Sequence, residues 1–182
     1  MSARLMVLGV MKREGQAHGY KVYSELTSWR AETWSKTRPG SIYHAITQLE
    51  KEGFIQKVGS AKIQGPSRTN YRITVAGEQE LARLIEKALV DYDLEVFAAG
   101  MAFMHELPRG RVIELARQRL KAYEEVSTFL EALPQEKRPT TPAKHPEIIG
   151  AWKYFFDGTG TWQQGFIERL ENGYYLFDGE DS

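Results

Sequence analysis

The sequence predicts a mainly α-helical chain with one small two-stranded β-wing in its first half. Three observations predict it. Residues 39–52 place Ile42, Ala45, Ile46 and Leu49 at helical spacing, with Pro39 suited to the opening turn and Gly53 to the stop. Two short strand-like runs follow, at residues 54–58 and 68–73, on either side of a polar stretch, 59–67, that holds Gly65-Pro66. From Thr74 to the end, helical periodicity dominates.

The elements follow in order. Residues 3–12 form a short helix whose Leu5, Met6, Leu8, Val10 and Met11 cover most of its surface, so it wants burial on several sides. A turn with Gly15 leads to His18-Gly19-Tyr20, which opens a helix expected to run to about Trp34. His18 has no Cys, Asp or His at a metal-ligand spacing, so a capping or packing role fits it better. Residues 35–38 make a polar turn before the 39–52 helix. Arg68 to Ile73 returns as the second strand, and Thr74 is placed to cap a helix from Val75. Helix, strand, basic loop, strand, helix is the layout of a winged helix-turn-helix, expected over residues 1–80. Residues 81–182 form a connecting and C-terminal helical region expected to support dimerisation and an effector site.

At these residues a resemblance becomes visible. His18-Gly19-Tyr20, Gly40-Ser41-Ile42-Tyr43, Leu49-Glu50-Lys51-Glu52-Gly53-Phe54-Ile55 and Tyr71-Arg72-Ile73-Thr74-Val75-Ala76-Gly77 stand in an order and spacing that resembles the PadR family of bacterial transcriptional regulators. The long C-terminal half resembles the extended subgroup of that family. The resemblance implies a homodimeric repressor that binds double-stranded operator DNA and often releases it on binding a small molecule. It also implies a DNA-facing role for Tyr43, whose bland alternative is a half-buried ring at the edge of the core.

Charge agrees with a reader in the first half. The 182 residues balance to zero, but residues 1–80 carry 12 Lys and Arg against 7 Glu and no Asp, a net +5, and the remainder carries −5. A basic half is suited to DNA phosphate, although an ordinary solvated surface has the same look. Lys36, Thr37, Arg38 and Ser41 lie at the start of the reading helix, where side chains and open amides meet phosphate. Tyr43, His44, Thr47 and Gln48 fall on its outward face and are the candidates for base edges. Lys62, Gln64 and Arg68 are the candidates from the wing.

Beyond Tyr92 the apolar pattern is too long for one helix, with a break expected at Asp91-Tyr92-Asp93 or at Ala98-Ala99-Gly100. Pro108 suits the opening of a long helix with a seam at Val112, Leu115, Ala116, Leu120, Tyr123, Val126, Phe129, Leu130 and Leu133. Either a partner subunit or an intrachain hairpin would cover that seam. Arg119 interrupts it and is expected to extend its head to solvent. Residues 134–146 hold four of the seven prolines and read as a linker. The last helix is aromatic-rich, with a local break expected at Gly158-Thr159-Gly160. Trp29, Trp152, Phe155, Trp162 and Phe166 are the candidates for walls of an effector cavity that takes a small aromatic or hydrophobic compound; the bland alternative is that they complete the core. The final four residues are expected to fray.

Other classes fit less well. The chain has no cysteine and four histidines, His18, His44, His105 and His145, that form no ligand series or catalytic arrangement, so no enzyme and no cofactor or metal is expected. No segment reads as a signal peptide or membrane span, which makes a cytoplasmic protein without membrane partners the expectation. A transcriptional activator or a winged-helix protein-interaction module is the alternative function.

Overall fold

The computed structural model describes residues 2–35, 37–61, 68–134 and 145–180. The order is α1 (Ser2–Glu14), α2 (Gly19–Ser28), a 3-10 turn (Ala31–Thr33), α3 (Pro39–Lys51), β1 (Ile55–Ala61), β2 (Arg68–Ile73), α4 (Val75–Leu89), α5 (Leu94–Ala102), a second 3-10 turn (Met104–Glu106), α6 (Arg109–Ala132) and α7 (Pro146–Glu171). Mainly helical architecture with a two-stranded antiparallel wing is therefore the observed fold class. Two compact units emerge, Met1–Leu107 and Pro108–Ser182. Packing thus extends the first unit past the winged helix of residues 1–80, because α4 and α5 pack on each other and on α1.

In the first unit α1 is the centre. Leu5, Met6, Val7, Leu8, Val10 and Met11 are all buried, enclosed by α2, α3, α4, α5 and β2. Each such side chain contributes about 1.5–3 kcal/mol when fully removed from water. The apolar surface all round this helix is thus satisfied within its own unit. At Gly9 a methyl group would fall 2.4 Å from the Phe103 ring, so α5's end lies against bare backbone there.

The helix α2 is shorter than its pattern predicts. It caps at Trp29, and Arg30 turns left-handed at φ 54°. Thr27, Ser28 and Thr33 hydroxyls each donate to a nearby backbone carbonyl, the local competition that weakens helix propagation. His18 caps the other end: its Nδ1 accepts from the Lys21 N–H at 3.0 Å.

The helix α3 ends in a Schellman turn. Gly53 adopts φ +80°, its N–H donates to Glu50 O and the Phe54 N–H donates to Leu49 O. The chain then enters β1. The ladder pairs Ile55 with Ile73, Gln56 with Arg72 and Lys57 with Tyr71, passes a bulge before Gly59, and continues with Ser60 opposite Thr69 and Ala61 opposite Arg68. The first strand is consequently longer than expected from residues 54–58. Gly59, at φ +144°, supplies the backbone that a bulge needs, so pairing resumes where the sequence reads as loop. Ala17 and Tyr71 also exchange both backbone hydrogen bonds at 2.9 Å, adding a bridge from the turn before α2.

Thr74 joins the far side of the wing to this corner. Its hydroxyl accepts from the Gly77 N–H and donates to Gly53 O at 2.8 Å, and its own N–H donates to Phe54 O. A Cβ on Gly77 would lie 2.0 Å from Phe54 O. The α4–α5 break falls at residues 90–93, because the Asp93 carboxylate accepts from the Glu95 and Val96 N–H groups and starts a new helix. Residues 98–100 stay helical.

The second unit is an antiparallel hairpin of α6 and α7, with Leu120 near Gly160 and Arg117 paired to Glu171. Val112, Leu115, Ala116 and Tyr123 of the seam are buried within the unit. Arg119 departs from expectation. It is buried, donating to Gln163 Oε1 at 3.0 Å and lying over the Tyr123 ring, while Gln163 donates onward to Ala116 O. The acceptor supplied by α7 keeps the guanidinium inside. The helix α7 also runs unbroken through Gly158 and Gly160. At its end Arg109 donates to Leu170 O and Tyr175 O, pairs with Glu180, and covers the buried Phe177. Glu180 is therefore held, not frayed, and the Arg109 guanidinium lowers its carboxyl below the usual range. The linker assigned to 134–146 lies largely outside the described residues.

The corner between Phe54 and Gly77 makes a direct prediction. Gly77→Ala should cost about 3 kcal/mol or more, since backbone must move, whereas Gly53→Ala meets open space and should cost about 1 kcal/mol for its left-handed φ alone. Urea unfolding of the full chain measures both. Equal losses would show that the Phe54 carbonyl is not the constraint.

Candidate nucleic-acid interface

The helix α3 has two faces. Ile42, Ala45, Ile46 and Leu49 are buried, and Tyr43, His44 and Thr47 are exposed, with Gln48 half-buried at the edge. Tyr43 is half exposed, 50%, and its ring lies against Gly19: a methyl there would come within 2.6 Å of the ring. The Thr47 hydroxyl donates to Tyr43 O at 3.1 Å, which leaves its oxygen as an acceptor and its methyl as an apolar contact.

The start of α3 is more self-contained than its sequence reads. Ser41 Oγ accepts from the Arg38 N–H at 2.9 Å and donates to Arg38 O. Thr37 is buried, and its hydroxyl oxygen accepts from Ser35 Oγ at 2.9 Å. Both residues shape the turn, and Thr37 is not on the surface where a phosphate contact was expected. Arg38 is exposed at the N-cap position. Lys36, Lys62 and Gln64 lie outside the described residues. Arg68 opens β2, its backbone opposite Ala61.

A polar link from the reading helix to the wing escaped the sequence reading. Glu50 of α3 pairs with Lys57 of β1 at 2.7 Å. That hydrogen bond raises the Lys57 ammonium, and burial, reinforced by the Glu50 charge, raises the nearby Tyr71 phenol. Acid and base seven residues apart across a helix end carry no motif, so only the folded corner brings them together. The fork from Arg4 to Glu52, at 2.8 and 2.7 Å, similarly ties α1 to the end of α3.

The five aromatic residues expected around an effector divide between the units. In the first, Trp29 donates its indole N–H to Glu25 at 3.0 Å, lies under the Arg13 guanidinium and sits 5.8 Å from the Phe103 ring. In the second, Trp152 and Phe155 are partly exposed and pack edge-on at 6.0 Å; Trp162, also partly exposed, stacks at 5.3 Å on Phe166, which is buried. Ten residues of helix, about 15 Å, separate Trp152 from Trp162.

Residues 7–83 match the family model described as Transcriptional regulator PadR-like family. Residues 7–83 are thus similar to the PadR-like regulators. That match supports a DNA-binding transcriptional regulator. Among solved structures, the chain is similar to Bacillus subtilis PadR in complex with operator DNA, with 20% identity, 92% of this chain and 98% of that chain covered, and a TM-score of 0.39. A second similarity is to smu.1604c from Streptococcus mutans UA159, at 21% identity, 92% and 99% coverage and a TM-score of 0.43. A third is to the PadR-like transcriptional regulator BC1756 from Bacillus cereus, at 18% identity, 93% and 98% coverage and a TM-score of 0.39. No curated protein matches the chain. Among the described residues no helix is long and apolar enough to cross a membrane.

Proposed function

We propose that the chain is a homodimeric repressor whose α3 enters the major groove of an inverted-repeat operator and whose DNA binding is relieved by a small aromatic effector. The observation that carries the DNA reading is the division of α3 into a buried apolar face and an exposed face of Tyr43, His44 and Thr47 edged by Gln48, next to the wing. These four side chains approach base edges, while Lys36, Arg38, Lys62 and Arg68 hold phosphate. Ser41 and Thr37 preserve the turn that aims them. Gln64 adds a wing contact. Two-fold symmetry sets half-sites about one helical turn apart.

The assignment of cations to phosphate has a measurable signature. Arg38→Ala and Arg68→Ala should each weaken a duplex selected from a randomised pool and a random duplex together. Each should also make the dependence of log affinity on log salt shallower, by about 0.9 for every phosphate that is no longer neutralised. An unchanged slope would mean that the residue substituted does not hold phosphate.

Exposed apolar groups on the hairpin support self-association. Phe129 at the end of α6 and Ile148, Trp152, Tyr154 and Phe155 at the start of α7 lie toward one end of the antiparallel pair. They take over from the first part of the α6 seam, Val112 to Tyr123, as the surface for a second subunit, because that part is already covered within its own unit. Sedimentation equilibrium should show two chains per particle, and Trp152→Glu should shift it toward one. A wild-type monomer across the micromolar range overturns the dimer.

Effector control rests on rings left partly open. Trp152 with Phe155, and separately Trp162, retain exposure that a closed core would remove, and a planar apolar ligand suits such rings. Phe166, stacked on Trp162, is proposed to back the site, whereas Trp29 belongs to the other unit. The ligand must prefer the dimer geometry that cannot hold DNA. A phenolic acid, used as a probe, should quench tryptophan fluorescence and lower duplex affinity together; quenching with unaltered DNA binding would refute the regulatory role.

A further inference from the structure

His18-Gly19-Tyr20 stands out in the sequence, yet none of the three belongs to the reading face of α3 or to the wing. The structure places them on one wall of an open cleft of about 420 Å³, with Tyr43 and Thr47 of α3 on a second wall and Thr69 and Tyr71 of β2 on a third. Gly19 lets the Tyr43 ring approach α2 closely, and Ile46 contributes the apolar floor. Tyr20 is 53% exposed and Tyr43 50%, so both rings stand at solvent.

The chemistry of this cleft is distinctive. Its walls offer phenol and threonine hydroxyls and an imidazole, and among the described residues that line it none is Lys, Arg, Asp or Glu. Neutral hydroxyls are ordinary partners of DNA phosphate and sugar. A carboxylate would repel phosphate, and Glu50, beside Tyr71, has its charge paired with Lys57.

The cleft is bordered by α3 on one side and by the wing strand on the other. A duplex strand that runs from the groove entered by α3 to the wing passes over it. We infer that this cleft seats the sugar–phosphate backbone of that strand, with Tyr20 as a hydrogen-bond donor to phosphate. This rests on the DNA reading proposed above and extends it to a residue outside both the reading helix and the wing.

A neutral contact behaves differently from a cationic one. It positions the duplex without releasing counterions and without reading a base. Tyr20→Phe removes only the hydroxyl from a half-exposed ring, so the fold should be retained, as a thermal melt by circular dichroism would verify. Affinity for a duplex selected from a randomised pool and for a random duplex should fall by the same factor, about tenfold for one hydrogen bond to a charged group, while the salt slope stays at the wild-type value. Arg38→Ala, measured alongside, should change the slope. Unchanged affinity of the Tyr20→Phe protein overturns the inference, as does a loss confined to the selected sequence or a shallower slope. Wild-type protein that binds neither duplex overturns the DNA reading itself, and so separates that failure from a failure at Tyr20.

Discussion

The first unit depends on the corner where Thr74 meets Gly53 and Phe54. Three backbone-linked hydrogen bonds converge there: Thr74 N–H to Phe54 O, Thr74 hydroxyl to Gly53 O, and Gly77 N–H to the Thr74 hydroxyl. The end of α3, the start of β1, the end of β2 and the first turn of α4 are thereby tied together. Nothing larger than hydrogen fits at Gly77, because the Phe54 carbonyl occupies the space. The constraint matters for function because it sets the rotation of α3. With Leu49 O bound to the Phe54 N–H, the last turn of α3 cannot unwind, and Tyr43, His44 and Thr47 are held outward.

The same rotation is enforced from inside. The helix α1 is buried on nearly every side and presses on the inner face of α3, while Arg4 reaches across to Glu52 at the helix end. Core packing and a surface fork thus act on one element. The outward side is divided chemically. Its turn carries Arg38, its middle carries side chains able to meet bases, and the described residues lining the cleft beside it carry no Lys, Arg, Asp or Glu. In the proposed interface, salt-dependent attraction and salt-independent positioning would therefore fall to different residues.

The second unit solves a different problem. A hairpin of two long helices has a narrow interior, and here that interior admits an arginine. Arg119 stays buried because Gln163 accepts its hydrogen bond and Tyr123 covers its face. Arg109 performs a similar task at the other end, where it satisfies carbonyls that a helix end and a returning tail leave open. The bulky apolar groups that this interior does not accommodate remain outside, on the end of the hairpin where α6 finishes and α7 begins.

Much of the first unit was legible in the sequence, because its signals are local. Gly53 stops α3 by its own backbone freedom, Thr74 caps the helix that follows it, and a 3.6-residue period separates Ile42, Ala45, Ile46 and Leu49 from Tyr43, His44 and Thr47. Contacts between distant segments were not legible. The Glu50–Lys57 pair, the bulge that lengthens β1, the Ala17–Tyr71 bridge and the cleft around Tyr20 each need two segments in place before the partner exists. Thr37 illustrates the limit: a polar residue in a basic turn reads as surface, but Ser35 supplies its partner and the core closes over it. Arg119 shows the same in the second unit, since a lone arginine on an apolar seam goes to solvent unless another helix brings an acceptor. Local backbone preference and periodicity therefore determined the elements and the outward face of α3. Tertiary structure decided which polar groups turned inward, because burial of a polar side chain is set by the partner that meets it and not by its own chemistry.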